Sequence, residues 1–102
     1  MSNTNDTIIP LIAGGTFTGT FQKRDVNSIT SVNVFSDTTC DVRIQQAPNT
    51  TNVVNNDLFL YDPSSAVIFQ QYLVLDYFRV VLTNTSGVDQ TFLRITTKLS
   101  NV

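Results

Sequence analysis

The chain has 102 residues, 41% of them apolar and 14% charged, with a formal net charge of -2, no histidine and one cysteine. That length holds one domain with one core, and the composition excludes a highly charged disordered tail. The few cations, Arg24, Arg43, Arg79 and Arg94 among them, are scattered and give no clustered positive field for phosphates, so no nucleic-acid partner is expected. All eight acids are Asp, and Thr, Ser and Asn together make up roughly a third of the chain, a choice that favours strands and turns over helices.

In chain order, Ser2 to Thr7 reads as a loose polar arm and Ile8-Ile9-Pro10-Leu11-Ile12 as an apolar strip, with Pro10 suited to an edge or extended segment. The strip is too short and Pro-broken for a signal h-region or a membrane span, so no membrane association is expected. It either covers one end of the core or docks on a neighbour. Residues 1–14 are therefore expected to form an N-terminal arm, and residues 15–102 the domain.

Thr16 to Phe21 alternates strictly, with Phe17 and Phe21 on one face, as a half-buried strand does. Ser28 to Ser36 carries Val32 and Val34 on one face and Ile29 and Phe35 on the other, predicting a central strand covered on both sides. After the turn Ser36-Asp37-Thr38-Thr39, inward Cys40, Val42 and Ile44 alternate with outward Asp41, Arg43 and Gln45. Gln46 to Asn56, with Pro48 and four Asn, reads as the longest loop; Asn49, Asn52 and Asn55 are its candidate contact residues.

Leu58 to Tyr61 is a short apolar strand before the breaker Asp62-Pro63-Ser64-Ser65. Ala66 to Leu75 follows as an apolar run in which Gln70 and Gln71 predict a bulge or a crossing between sheets. Phe78, Val80 and Leu82 face inward, as do Leu93, Ile95 and Leu99, in a closing hairpin whose turn is Thr83-Asn84-Thr85-Ser86-Gly87. The expected fold is all-β: an antiparallel β-sandwich of seven to eight strands, either a jelly roll or an Ig-like Greek key.

No reaction is named by these residues. Without histidine there is no Ser-His-Asp or Cys-His nucleophile and no His-ligated metal. An inward Cys40 among apolar neighbours reads as packing, and the aspartates sit beside turn residues where they satisfy local backbone. Asp37 and Asp41 do not match a calcium loop. No cofactor or metal and no catalytic residue is expected. A single cysteine allows no intrachain disulfide and points to assembly in a reducing cytoplasm. Asn-x-Ser/Thr triplets at Asn5, Asn49 and Asn84 arise readily in so Asn/Thr-rich a chain.

Three segments carry a resemblance: Val32-Asn33-Val34-Phe35-Ser36-Asp37, then Val42-Arg43-Ile44-Gln45-Gln46, and the hairpin running from Arg79-Val80 through Thr83-Asn84 to Gln90-Thr91-Phe92-Leu93-Arg94 and Thr96-Thr97-Lys98-Leu99. Together they make the stretch from Gly15 to Leu99 similar to small β-sandwich modules of phage and large DNA virus structural proteins, although the aromatic cluster frequent in their middle loop is missing. The resemblance implies a non-enzymatic virion component, a capsid decoration, cement or minor capsid subunit, assembled in the host cytoplasm. Its implied partners are other capsid or tail proteins and further copies of itself. The alternative expectation is a carbohydrate-binding or adhesin module of a fibre or tail. Ile8, Ile9, Leu11 and Ile12, with the three loop asparagines, are the candidate partner-binding residues, whereas a carbohydrate platform would rest on Tyr61, Tyr72 and Tyr77.

Overall fold

The computed structural model describes residues 5–24, 28–64 and 68–101. It is all-β, with eight antiparallel strands in two facing sheets: β1 (Thr16–Thr18), β2 (Gln22–Lys23), β3 (Ser28–Ser36), β4 (Cys40–Ala47), β5 (Asn55–Tyr61), β6 (Ile68–Leu73), β7 (Tyr77–Asn84) and β8 (Leu93–Asn101). One sheet has the order β1-β7-β4-β5, with β2 also on β7; the other has the order β6-β3-β8. Among the described residues only β4 and β5 form a hairpin within one sheet, and every later connection passes from one sheet to the other. The closing hairpin expected of Phe78–Leu82 and Leu93–Leu99 does not form, because β7 and β8 lie in opposite sheets and pair with β4 and β3 instead.

Period-2 alternation accounts for the core. Val32 and Val34 of β3, Cys40, Val42 and Ile44 of β4, Val80 and Leu82 of β7, and Leu93 and Ile95 of β8 are buried between the sheets. Burying one such Val, Leu or Ile side chain stabilises by about 1.5–3 kcal/mol. The Tyr61 hydroxyl both accepts from the Ser36 backbone N–H and donates to the Ser36 carbonyl, each at 3.1 Å, which ties the end of β5 to the end of β3 in the opposite sheet.

Several expectations are corrected. The strand expected over Thr16 to Phe21 breaks at Gly19 and Thr20, leaving β1 and β2 as two short pieces on β7. The expected bulge at Gln70 and Gln71 is absent: β6 pairs with β3 without interruption, Gln71 opposite Thr30 and Gln70 opposite Ser31. β3 is central in its sheet, but it is not covered on both sides, since Phe35 is 62% exposed. The expected loop from Gln46 to Asn56 shortens to residues 48–54, because Gln46 is a buried residue of β4 and Asn55 and Asn56 belong to β5. Its side chain explains why: Gln46 Nε2 donates to the Tyr72 carbonyl, while its Oε1 accepts from the Val74 and Leu75 N–H groups, so a polar residue holds the β6 to β7 turn from inside. The expected strand start at Ala66 and the part of the arm before Asn5 lie outside the described residues.

From Asn5 onward the N-terminal segment is stitched to the sandwich rather than loose. The Asn5 side chain is fully buried in the break between β1 and β2, its Oδ1 accepting the Val80 N–H at 2.8 Å and its Nδ2 donating to the Thr20 carbonyl at 3.1 Å. Thr7 and Ile95 exchange two backbone hydrogen bonds, which lays the segment along β8. Leu11 is held by Gln90, whose Oε1 accepts the Leu11 N–H and whose own N–H reaches the Leu11 carbonyl.

Candidate contact surface

The segment that follows Asn5 runs beside β8 and leaves a row of apolar side chains outside. Ile8, Ile9 and Ile12 are 74%, 69% and 69% exposed. Ile8 and Ile9 line an open groove of about 540 Å³ with Asp6, Thr7, Arg94, Ile95 and Thr96. Ile8 also lines an adjoining hollow of about 300 Å³ with Phe35, Phe92, Leu93 and Arg94. In that hollow the Phe35 and Phe92 rings lie 4.9 Å apart between centroids, tilted by 34°. A well-packed pair of this kind normally belongs in a core or an interface.

Both phenylalanines are placed by strand register and by turn chemistry. Phe35 stands on the outer face of β3 opposite Arg94 of β8. Phe92 precedes β8 and is fixed by its neighbour Thr91, whose N–H and hydroxyl both donate to the Asp37 carboxylate, the hydroxyl at 2.7 Å. The Thr91 hydroxyl holds the Asp37 carboxyl below the ordinary aspartate value; desolvation opposes it, and backbone N–H groups, that of Thr91 first, add to the lowering. Ser36 Oγ adds a bond to the Phe92 carbonyl at 3.2 Å.

The candidate residues separate into groups. Ile8 lines the hollow that holds Phe35 and Phe92 and Ile9 the adjoining groove, whereas Leu11 is half-buried and packs on the core. Ile12 lies in the turn before β1, where its carbonyl accepts from the Gly15 N–H and from Asn84 Nδ2. The loop asparagines are at the other end of β4, about 24 Å away at ~3.4 Å per residue. There Asn49 Oδ1 accepts from the Thr51 N–H and hydroxyl and from the Asn52 N–H, so its side chain shapes its own turn. Asn52 is exposed, and Asn55 is a half-buried β5 residue opposite Gln46.

Phe35 and Phe92 were not singled out by the sequence, although a signal is there. Each is next to a core residue, Val34 on β3 and Leu93 at the start of β8, so alternation turns both large rings outward, and Phe35 falls opposite Arg94 in the paired register. Of the three tyrosines, Tyr61 is buried, Tyr77 is half-buried and Tyr72 is exposed on β6.

The chemistry-bearing groups are engaged elsewhere in the fold. Cys40 is buried; burial pushes its thiol up from the ordinary value, against the Thr38 and Gln90 side chains that favour the thiolate. No group of three Cys, Asp or Glu side chains that could hold a metal ion occurs among the described residues. Two of the three Asn-x-Ser/Thr asparagines, Asn5 and Asn84, are fully buried. Asn84 donates to the carbonyls of Leu11, Ile12 and Val88 and accepts from Thr38 and Ser86, which makes it the knot that binds the N-terminal segment to the β7 end. No helix among the described residues is long and apolar enough to cross a membrane.

No protein-family model matches this chain. No curated protein matches it either.

Proposed function

We propose that this chain is a non-enzymatic structural subunit of a virion, a capsid decoration, cement or minor capsid protein. It attaches to neighbouring capsid or tail proteins through the face made by Ile8, Ile9, Phe35 and Phe92, during assembly in the host cytoplasm. The observation that carries the reading is that face: contiguous, apolar, outside the core, and set against the paired ends of β3 and β8. Exposing it costs hydration without benefit to a solitary domain, whereas covering it yields the apolar centre of an interface, with Arg94 at its edge.

The strand order adds support. With the Thr7 bridge counted beside β8, and β1 and β2 counted as one interrupted strand, the orders Thr7-β8-β3-β6 and β1-β7-β4-β5 favour the jelly-roll reading of the sandwich over the Ig-like one. Jelly rolls recur in viral capsid and lectin domains. This is an analogy of fold, and it agrees with the resemblance of the β3, β4 and β7 to β8 segments to viral structural modules.

The same cluster favours one second reading. Two exposed aromatic rings beside Arg94 are also the makings of a carbohydrate platform, as in an adhesin of a fibre or tail. Gradient sedimentation separates the two. The native chain should co-sediment with particles, and the Ile8→Ser/Phe92→Ser variant should stay at the top of the gradient while keeping its β-type circular dichroism. Equal co-sedimentation of both would defeat the proposal, and binding of the native chain to a glycan array, lost in the same variant, would replace it with the adhesin.

A further inference from the structure

The two lateral sides of the sandwich end differently. On one side β8 is partly covered by the Thr7 segment and carries outward Arg94 and Lys98. The other sheet ends there in β1 and β2, only three and two residues long, with Lys23 exposed. Covering segments, cations and short strands are the devices that keep an edge from pairing with another chain. On the opposite side the sheets end in β5 and β6, and among the described residues no strand pairs with their outer edges. Among the described residues most of these devices are missing, the half-buried Asp57 of β5 being the one charge on either strand. Neither strand contains Lys, Arg or Pro, both pair with their inner neighbours in unbroken register, and β5 is seven residues long. Outward Leu58 and Leu60, the latter 72% exposed, stand on β5, and outward Ile68 and Tyr72 stand on β6.

We infer that β5 is a self-assembly edge. A second copy of this chain adds its own β5 antiparallel to the first and continues the five-stranded sheet across a two-fold axis. An open edge of N–H and C=O groups accepts a strand, and the side chains of β5 make that strand β5 itself. With the axis at Phe59, Leu58 lies opposite the partner's Leu60, Phe59 opposite the partner's Phe59, and Asp57 opposite the partner's Tyr61. Apolar residues then meet apolar residues. The only charge on the strand, Asp57, is offset from its symmetry mate by four residues, about 14 Å at ~3.4 Å each, beyond the ~8 Å screening length of physiological salt. Shifting the axis to Asp57 would set the two carboxylates face to face, and an axis at Leu58 would set Asp57 against Phe59, so charge and apolar matching together select the register. The half-buried Phe59, already packed on Phe69 at 5.3 Å, becomes covered. This edge is separate from the Ile8, Phe35 and Phe92 face, so one subunit can hold a copy of itself and a different neighbour at once.

Sedimentation velocity of the full chain over a dilution series tests the inference. The native chain should show a monomer-dimer equilibrium. The Leu58→Lys/Leu60→Lys variant, which places like charges opposite one another, should remain monomeric throughout that range with an unchanged melting temperature. The Ile8→Lys/Ile9→Lys variant should still dimerise, which distinguishes this edge from the proposed docking face. A monomeric native chain, a dimer that survives the β5 variant, or a dimer lost in the Ile8/Ile9 variant would each overturn the inference. If the lysine variant fails to fold, register decides: mixed Leu58→Cys and Leu60→Cys copies should cross-link to each other in preference to themselves, since facing Cα atoms in such a pair lie about 4.5–5.5 Å apart. Preferential self-linking would contradict the Phe59 axis.

Discussion

The Asn5 carboxamide fills the gap between β1 and β2 and satisfies the Val80 N–H, a role that a polar residue near a chain start does not advertise. Gly19 leaves the room for it: a Cβ there would run into the Asn5 side chain and lie 3.0 Å from the Val80 carbonyl. Asn5→Ala should therefore cost about 1–3 kcal/mol, the penalty of a buried donor left unsatisfied, read as a lower melting temperature; an unchanged one would show that Val80 finds another partner. Thr30 supplies the opposite case. It is fully buried on β3, and its Oγ1 has no hydrogen-bond partner among the described residues. Thr30→Val keeps the shape and removes the desolvated hydroxyl, so it should stabilise by about 1 kcal/mol, or roughly 4–8 °C in a domain of this size. A drop in melting temperature would mean the hydroxyl is bonded after all. Buried polar residues such as Asn5, Gln46, Asn84 and Gln90 were the least legible part of the sequence, because their partners lie between 26 and 79 positions away for the bonds that matter most.

Among the elements, those with local period-2 alternation were legible. Cys40, Val42 and Ile44, and likewise Phe78, Val80 and Leu82, are buried as that alternation requires. What alternation cannot give is how far a face is covered, so Phe35 was misread as enclosed when the neighbouring sheet covers only its opposite side. The adjacent glutamines of β6 imitated a register shift, yet they alternate regularly, Gln70 outward and Gln71 half-buried. The N-terminal segment was read as an arm because its anchors are distant. Removing residues 1–13 deletes the Asn5 bonds, the Thr7 pairing with Ile95 and the Leu11 bonds to Gln90. Each hydrogen bond contributes roughly 0.5–1.5 kcal/mol net, so the truncated chain should melt well below the Asn5→Ala variant while retaining a β-type circular dichroism spectrum in the cold. A native melting temperature after truncation would show that the segment adds nothing to the fold.

For the molecule as a whole, acid should loosen the end that carries the docking face. The folded state holds Asp37 below its ordinary value through Thr91, and Asp62 likewise through the Ser64 N–H and hydroxyl. A depressed carboxylate means that the folded state binds fewer protons than the unfolded one, so this contribution is fully present above about pH 4 and is lost as the pH falls below it. Asp37→Asn should therefore flatten the acid limb of stability against pH, checked by thermal melts across that window; an acid limb identical to that of the native chain would remove Asp37 from the account.

Whole-molecule architecture also separates the two proposed contacts, with exposed Ile8, Ile9, Phe35 and Phe92 at one end of the sandwich and the outer edge of β5 at one side. Hydroxyl-radical footprinting of the free chain against the particle-bound chain measures the first directly, since exposed phenylalanine and isoleucine side chains record the loss of solvent contact. Strong protection of Phe35 and Phe92, together with Ile8 and Ile9, is expected on assembly, with the 48–54 loop at the far end of β4 unchanged. Full reactivity of both phenylalanines in the bound state would contradict that expectation.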